Sequence, residues 1–377
     1  MKICTKCIYD EKTPAISFDE QGVCSYCKQV DYLKQMYKTA TPEGEADLMT
    51  IIDQIKKEGK NKKYDCALGV SGGTDSSYLL AKAVEWGLRP LAVHYDNTWN
   101  TAISTENIRK ITTKLNIDLY TIVVDNKEAD DLLKAFFLSG SSDLDAPTDL
   151  ALSETMYRAA SKFGISYVLE GHSFIAEGVS PLSNSYVDGK YIESVHKKYG
   201  KGKLKTFPNM KFATFMKWVL FKQIKKIRPL WYINYSKRDA QKYLEETFDW
   251  KYYGGHHLEN RISAFSHSYF LPKRFGTDQR NNSISASVRA GVITREEGLQ
   301  EYASPPYIEP ELVSYFKKRL QLSEEEFDKA MSAPKKTYKD FETYKKRFEL
   351  FRPLFFILAK AHLVPMSFYL KYCFPSK

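Results

Sequence analysis

Ser71-Gly72-Gly73-Thr74-Asp75-Ser76-Ser77 stands between a short apolar run, residues 65–70, and a helical pattern that opens with Tyr78, Leu79 and Leu80. A strand feeding a helix through such a loop leaves the backbone few options. Two adjacent glycines let the main chain approach an oxyanion with no Cβ in the way. The helix N-terminus behind them offers free N–H groups and the positive end of its dipole, which together favour phosphate. Ser71, Thr74, Ser76 and Ser77 add hydroxyl donors. Asp75 is placed either to cap the helix or to help hold a phosphate-bound Mg2+. A Walker A loop would carry a Lys for the terminal phosphates, and this loop has none. The competing reading, a Ser/Gly-rich turn with no ligand, fits the strand–loop–helix context poorly.

The flanking sequence alternates strand and helix patterns. Apolar runs at 65–70, 90–94, 119–124 and 166–170 suit buried parallel strands. Leu48, Ile51, Ile52 and Ile55 recur at helical spacing, and helices are expected from Asp75, over 105–115 and over 150–163. Repeated β-α units imply an α/β fold with a doubly wound parallel sheet, whose ligands belong at the carboxyl ends of the strands. Two further loops follow strand ends. His94, Asp96 and Asn97 follow the second strand, and Gly171 and His172 follow the fourth. All five are candidate nucleotide contacts, the plainer reading being turn residues and caps.

Cys4, Cys7, Cys24 and Cys27 form two C-x-x-C pairs, whereas Cys66 and Cys373 stand alone. Two such turns complete a tetrahedron of thiolates, so residues 1–44 read as a zinc-binding ribbon or knuckle with a structural Zn2+. Unmetallated or redox-active thiols are the alternative. Four thiolates leave no open coordination position, which excludes a catalytic metal here. No apolar run follows the basic start, and no stretch matches the ~18 apolar residues of a spanning helix, so cytoplasmic residence is expected. The formal net charge of +10 favours phosphate-bearing partners. Between 194 and 230 there are eleven Lys or Arg and no acid. Phe212, Phe215, Met216, Val219, Leu220 and Ile227 fall on one helical face within this basic insertion of about 190–230. Such a stretch either lies peripherally on an anionic bilayer or packs on the domain with its basic face solvated. The second is favoured. Residues 45–300 are read as the nucleotide domain and 301–377 as a helical tail.

The Ser71 loop resembles the PP-loop, S-G-G-x-D-S-[ST], of the ATP pyrophosphatase superfamily, whose fold is of the adenine nucleotide alpha-hydrolase type. More closely, the chain resembles the N-acetyl sugar amidotransferase family of surface-polysaccharide biosynthesis. The matching stretches are Phe18-Asp19-Glu20-Gln21-Gly22-Val23-Cys24, Tyr95-Asp96-Asn97-Thr98-Trp99-Asn100, Tyr253-Gly254-Gly255-His256-His257 and Leu271-Pro272-Lys273-Arg274-Phe275-Gly276-Thr277-Asp278, with Arg280 and Thr294-Arg295-Glu296-Glu297 beyond. The resemblance implies an ATP- and Mg2+-dependent amidotransferase acting in lipopolysaccharide O-antigen biosynthesis. The acetamido oxygen of an N-acetylated, nucleotide-linked sugar is adenylated, and ammonia displaces AMP to leave an acetamidino sugar. Lys273 and Arg274, with Arg280 behind them, are candidates to offset charge on the phosphates, against a solvated basic loop. His256 and His257 are candidates to orient substrate or move a proton, against a structural pair beside a Gly-Gly turn.

A glutaminase needs a nucleophilic cysteine. Residue 2 is Lys2, Cys66 lies in an expected buried strand, and Cys373 is near the tail's end. Ammonia is therefore expected from another chain, and the resemblance points to a class I glutaminase with a cyclase-like, ammonia-channelling companion. Nucleic acid is not expected as a partner. Two rival functions remain: a PP-loop tRNA-thiolating enzyme, which would want a reactive cysteine pair, and a non-catalytic zinc adaptor.

Overall fold

A computed structural model describes residues 2–179, 186–255, 258–361 and 363–375. Five parallel strands form one sheet: β1 (Cys66–Gly69), β2 (Pro90–Asp96), β3 (Leu119–Val123), β4 (Tyr167–Leu169) and β5 (Lys225–Ile227). They lie in the order β3-β2-β1-β4-β5, so the chain reverses direction across the sheet at β1. In an open α/β sheet that reversal opens a crevice at the strands' carboxyl ends. The Ser71 loop lies there.

Two-residue periodicity assigns the sheet's faces. Leu68, Ala92 and Leu169 pack with Leu48, Ile52 and Ile55 of α2 (Pro42–Gly59), and with α3 (Thr74–Glu85) and α4 (Ala102–Lys114). Ala67, Leu91, Val93 and Val168 face the other way, onto Tyr157 and Ala160 of a long helix, Ala146–Lys162. Neighbouring residues facing opposite layers is what a doubly covered parallel sheet requires. The fifth strand lies near the end of the basic insertion, where a continuation of the helical face to Ile227 was expected. Lys226 pairs with Glu170 at 2.8 Å, both side chains half-buried, so its charge is matched at the sheet edge. The helix itself ends at Phe221. Phe215 and Val219 are buried against Phe348 and Phe355, so this face packs on the C-terminal helices, while Phe221 is 81% exposed.

Residues beyond 301 share a core with the sheet domain: Phe316 stacks on Phe265 at 3.7 Å between ring centroids, beside Phe137. Among the described residues, no helix is long and apolar enough to cross a membrane.

The four cysteines of the N-terminal module are fully buried. Cys4–Cys27 and Cys7–Cys24 sulfurs are 3.8 Å apart, and all four lie within 4.8 Å of one another. Zn–S bonds of ~2.3 Å in a tetrahedron put sulfurs about 3.8 Å apart, so the donor set fits a zinc ion. Backbone N–H groups of Lys6 and Cys24 both donate to Cys4 Sγ at 3.3 Å, as thiolate ligands favour.

Candidate active site

Gly72 explains why this loop needs a glycine. Its φ is +78°, and a Cβ there would stand 2.1 Å from the Ser104 carbonyl oxygen. The turn is clamped from outside: Trp250 Nε1–H donates to the Gly72 carbonyl at 3.1 Å, and the Asn107 amide donates to it at 3.3 Å. Gly73 is the N-cap of α3 in extended conformation, with no side chain to cap the helix. A Cβ on Gly73 would project toward Ser71 Oγ, Tyr253 Oη and Glu259 Oε1, at 3.1, 3.3 and 3.5 Å. That space belongs to a cavity of about 120 Å3, whose wall includes Ser71, Ser76, Asp75, Glu177, Lys237 and Glu259. Helix N-terminus, hydroxyls and open backbone thus converge on one phosphate-sized space. Asp75, Glu177 and Glu259 line it too, although among the described residues only the cysteine quartet brings its ligand atoms close enough together for one ion.

Asp75 is the most constrained member. It accepts from the Tyr235 hydroxyl, pairs with Lys237 Nζ at 3.0 Å, and has Glu177 within hydrogen-bond reach. Burial alone would raise its pKa. The Lys237 charge and the hydrogen bonds outweigh burial and hold the carboxyl below its ordinary range. Lys237 is in turn held charged by Asp75 and Glu177 against its own burial.

The other expected nucleotide residues sit at strand ends, with much of their bonding capacity used by the protein. The His94 Nδ1 lies 2.8 Å from the Val70 carbonyl and Nε2 lies 3.2 Å from the Asn100 amide, which suits a neutral ring donating at Nδ1. Asp96 accepts from the Thr98 N–H at 2.7 Å. Asn97 is buried and bonds Thr148, Trp99 and Asn260. These three shape the loop after β2. Gly171 packs directly on α3, where a Cβ would lie 3.2 Å from Ser76 N. His172 accepts from Trp231 Nε1–H at 3.3 Å and has Glu177 Oε2 at 3.5 Å from its other nitrogen.

The cations expected near the phosphates are elsewhere. Lys273 is exposed and lines neither this cavity nor its larger neighbour. Arg274 is 7% exposed and donates through Nη2 to the Ala333 carbonyl at 2.9 Å, deep among the helices. Arg280 grips Asp278 at 2.6 Å and the carbonyl of Ser304 at 2.6 Å. His256 and His257 lie outside the described residues. The cation beside the PP-loop cavity is Lys237, which sequence reasoning missed along with Tyr235, Glu177 and Glu259. Only Tyr253 carried a signal, inside the quoted Gly-Gly segment.

Cys66 is fully buried in β1, where burial pushes its thiol well up. Cys373 is buried among the C-terminal helices and pushed up to about 11 by burial. Neither has the exposed, electropositive surroundings of a nucleophile.

The fold and this loop together define a PP-loop-type α/β sheet with an N-terminal cysteine knuckle and an extensive C-terminal helical region. Residues 259–354 match the family model described as LPS biosynthesis protein WbpG-like, C-terminal domain. The matched segment begins at Glu259, whose carbonyl accepts from Thr101 N–H and Ser104 Oγ, both at 3.0 Å. No curated protein matches the chain. Among solved structures, an NMN synthetase from Francisella tularensis is 14% identical, covering 75% of this chain and 93% of that one, with a TM-score of 0.33. An NH3-dependent NAD synthetase from Campylobacter jejuni subsp. jejuni is 15% identical (77% and 98% covered, TM-score 0.32). A predicted subunit of tRNA methyltransferase from Methanocaldococcus jannaschii is 12% identical (57% and 91%, TM-score 0.30).

Proposed function

We propose that this protein is an ATP-dependent, AMP-forming amidotransferase that converts an acetamido group of a nucleotide-linked sugar into an acetamidino group. The observation that carries the reading is the PP-loop cavity itself. An open glycine turn and a helix N-terminus face Asp75, Glu177 and Glu259, with Lys237 as the adjoining cation. The match of residues 259–354 to a family of lipopolysaccharide biosynthesis proteins supports the choice of a sugar substrate.

In this reading Ser71, Gly73 and Ser76 hold the β and γ phosphates through backbone N–H groups and hydroxyls, leaving the α-phosphorus open, while Gly72 shapes the turn and Thr74 and Ser77, expected as further hydroxyl donors, are buried in α3 away from the cavity. Asp75, Glu177 and Glu259 line the same space; an Mg2+ ion carried in on the phosphates would draw on these carboxylates and would offset phosphate charge. Lys237 keeps Asp75 ionised and adds positive charge where pyrophosphate leaves. The amide oxygen attacks the α-phosphorus, pyrophosphate departs, ammonia adds to the activated carbon, and the C–O bond to AMP breaks. An amide oxygen is a poor leaving group, and adenylation makes it a good one. Loops carrying His94, Asp96, Asn97, Gly171 and His172 frame the nucleotide. With Cys66 and Cys373 both buried, ammonia comes from a separate glutaminase, and a thiolation reading loses its reactive cysteine pair.

The test is incubation with ATP, Mg2+, ammonium and a panel of acetamido nucleotide sugars. Replacement of oxygen by NH in the sugar, with stoichiometric AMP and no use of glutamine by this chain alone, is expected. ADP as the nucleotide product contradicts the proposal.

A further inference from the structure

A second cavity, about 360 Å3, adjoins the PP-loop cavity and shares Lys237 with it. That volume lies within the range of small-ligand sites. It opens on the β4 side of β1, past Ile175 and Ala176, whereas the His94–Asn97 loop lies on the β2 side. Its charge is one-sided. Among the described residues Lys34, Lys237 and Arg238 line it, and no Asp or Glu does. Lys237 is paired with Asp75, but neither Lys34 nor Arg238 has a carboxylate partner among the described residues. Ser283 and Ser287 add hydroxyls, and Tyr235 and Tyr252 add rings. Uncompensated cations beside hydroxyls and aromatic faces suit a phosphate ester joined to a flat or ring-shaped group.

The wall comes from distant parts of the chain, and two of them meet at the cysteine cluster. The first helix, α1 (Ser25–Tyr37), is capped by Cys24 and carries Cys27; Lys34 stands about two turns further on. The helix Arg280–Arg289 places Ser283 and Ser287 at the cavity, while its Asn282 bonds Tyr9 of the knuckle and its Arg289 guanidinium lies 5.5 Å from the centre of the Tyr9 ring. Arg295 donates to the carbonyls of Cys4 and Cys7 at 2.9 and 3.2 Å. The cysteine cluster therefore packs on two of the helices that bound the cavity, the third being the helix Lys237–Phe248 that carries Arg238.

We infer that this cavity is the acceptor site, taking a phosphorylated sugar through Lys34 and Arg238, and that the zinc knuckle is one of its walls rather than a remote staple. The term acceptor rests on the amidotransferase reading; the anionic pocket and its link to the knuckle do not. The probes are UDP-N-acetylglucosamine and UDP, titrated calorimetrically into the full chain, with α,β-methylene-ATP as the control ligand. Lys34→Met and Arg238→Met should each weaken the UDP probes about tenfold, with α,β-methylene-ATP affinity held within about twofold. Cys7→Ser should do the same through the knuckle. Failure of both UDP probes to bind the wild-type protein overturns the inference. So does unchanged probe affinity in the two cation variants. Parallel loss of both ligand types in Cys7→Ser overturns the specific link to the knuckle, while selective loss supports it. Selective weakening in the cation variants, with no amidine formed from any acetamido nucleotide sugar, keeps the phosphate pocket and removes the amidotransferase reading.

Discussion

The two neighbouring cavities share a lysine and differ in how they are made. The PP-loop cavity takes Ser71, Gly73, Asp75 and Ser76 from one heptapeptide, in which glycine, hydroxyls and helix start serve one geometry. The larger cavity also has one contiguous run, Ile233 to Arg238, but Lys34, Tyr252, Ser283 and Ser287 reach it only through tertiary packing. A site written in consecutive residues is tied to its backbone conformation. A site assembled from distant segments depends on whatever holds those segments in place, here including the cysteine knuckle.

Asp75→Asn should break the small cavity most completely. It removes a charge facing Lys237 and the phosphates, so AMP formation should fall by about 10²-fold or more, while UDP-probe binding in the larger cavity stays close to wild type. Initial-rate measurements of AMP release check the first part, and calorimetry the second. Lys237→Met removes the group both cavities share. Affinity for α,β-methylene-ATP and for UDP should both drop. Asp75, left buried beside Glu177 with its cationic partner gone, should destabilise the fold by about 3 kcal/mol in urea titration. If only one ligand weakens, the lysine does not bridge the two sites.

The difference in construction also decided what could be read from sequence. The Ser71 loop was legible because its chemistry is local, and β1, β2 and β4 because they are buried apolar runs; β3 was found by the same pattern but lies at the sheet edge with Leu119 and Val123 exposed, not buried as expected. The fifth strand was not, since Lys225, Lys226 and Ile227 form a half-buried edge strand whose charge is matched by Glu170 only after folding. Glu177 and Glu259 come from loops and Lys237 from the start of the helix Lys237–Phe248, with no spacing to reveal them. Lys273 and Arg274 looked like phosphate cations because they are adjacent and basic. The helix that carries them sends Arg274 inward to Ala333 and leaves Lys273 in solvent.

Gly72→Ala sharpens the contrast on the side of backbone geometry. A Cβ at φ +78° meeting Ser104 should cost about 2 kcal/mol or more of stability, with nucleotide binding falling and UDP binding retained in the fraction that folds. Thermal melting with each ligand in turn reports both effects. The smallest expected change in function is at Glu170, outside both cavities. Burial would raise its pKa, but Lys226 and Arg228 outweigh that and hold it at about 2. A depressed carboxylate pKa stabilises the fold above the unfolded value and is lost as pH falls. Glu170 thus contributes about 3 kcal/mol near pH 7 that fades below about pH 5 toward pH 2. Glu170→Gln should flatten that acid limb of the stability curve and leave ligand affinities unchanged at neutral pH.

In the proposed reaction the Ser71 loop directs attack by an amide oxygen onto the α-phosphorus. The direct measurement uses an acetamido nucleotide sugar labelled with 18O in the amide, followed by mass analysis of the nucleotide product. Transfer of the label into AMP is the predicted result. Unlabelled AMP, or label released only as water or inorganic phosphate, would contradict the mechanism at its first step.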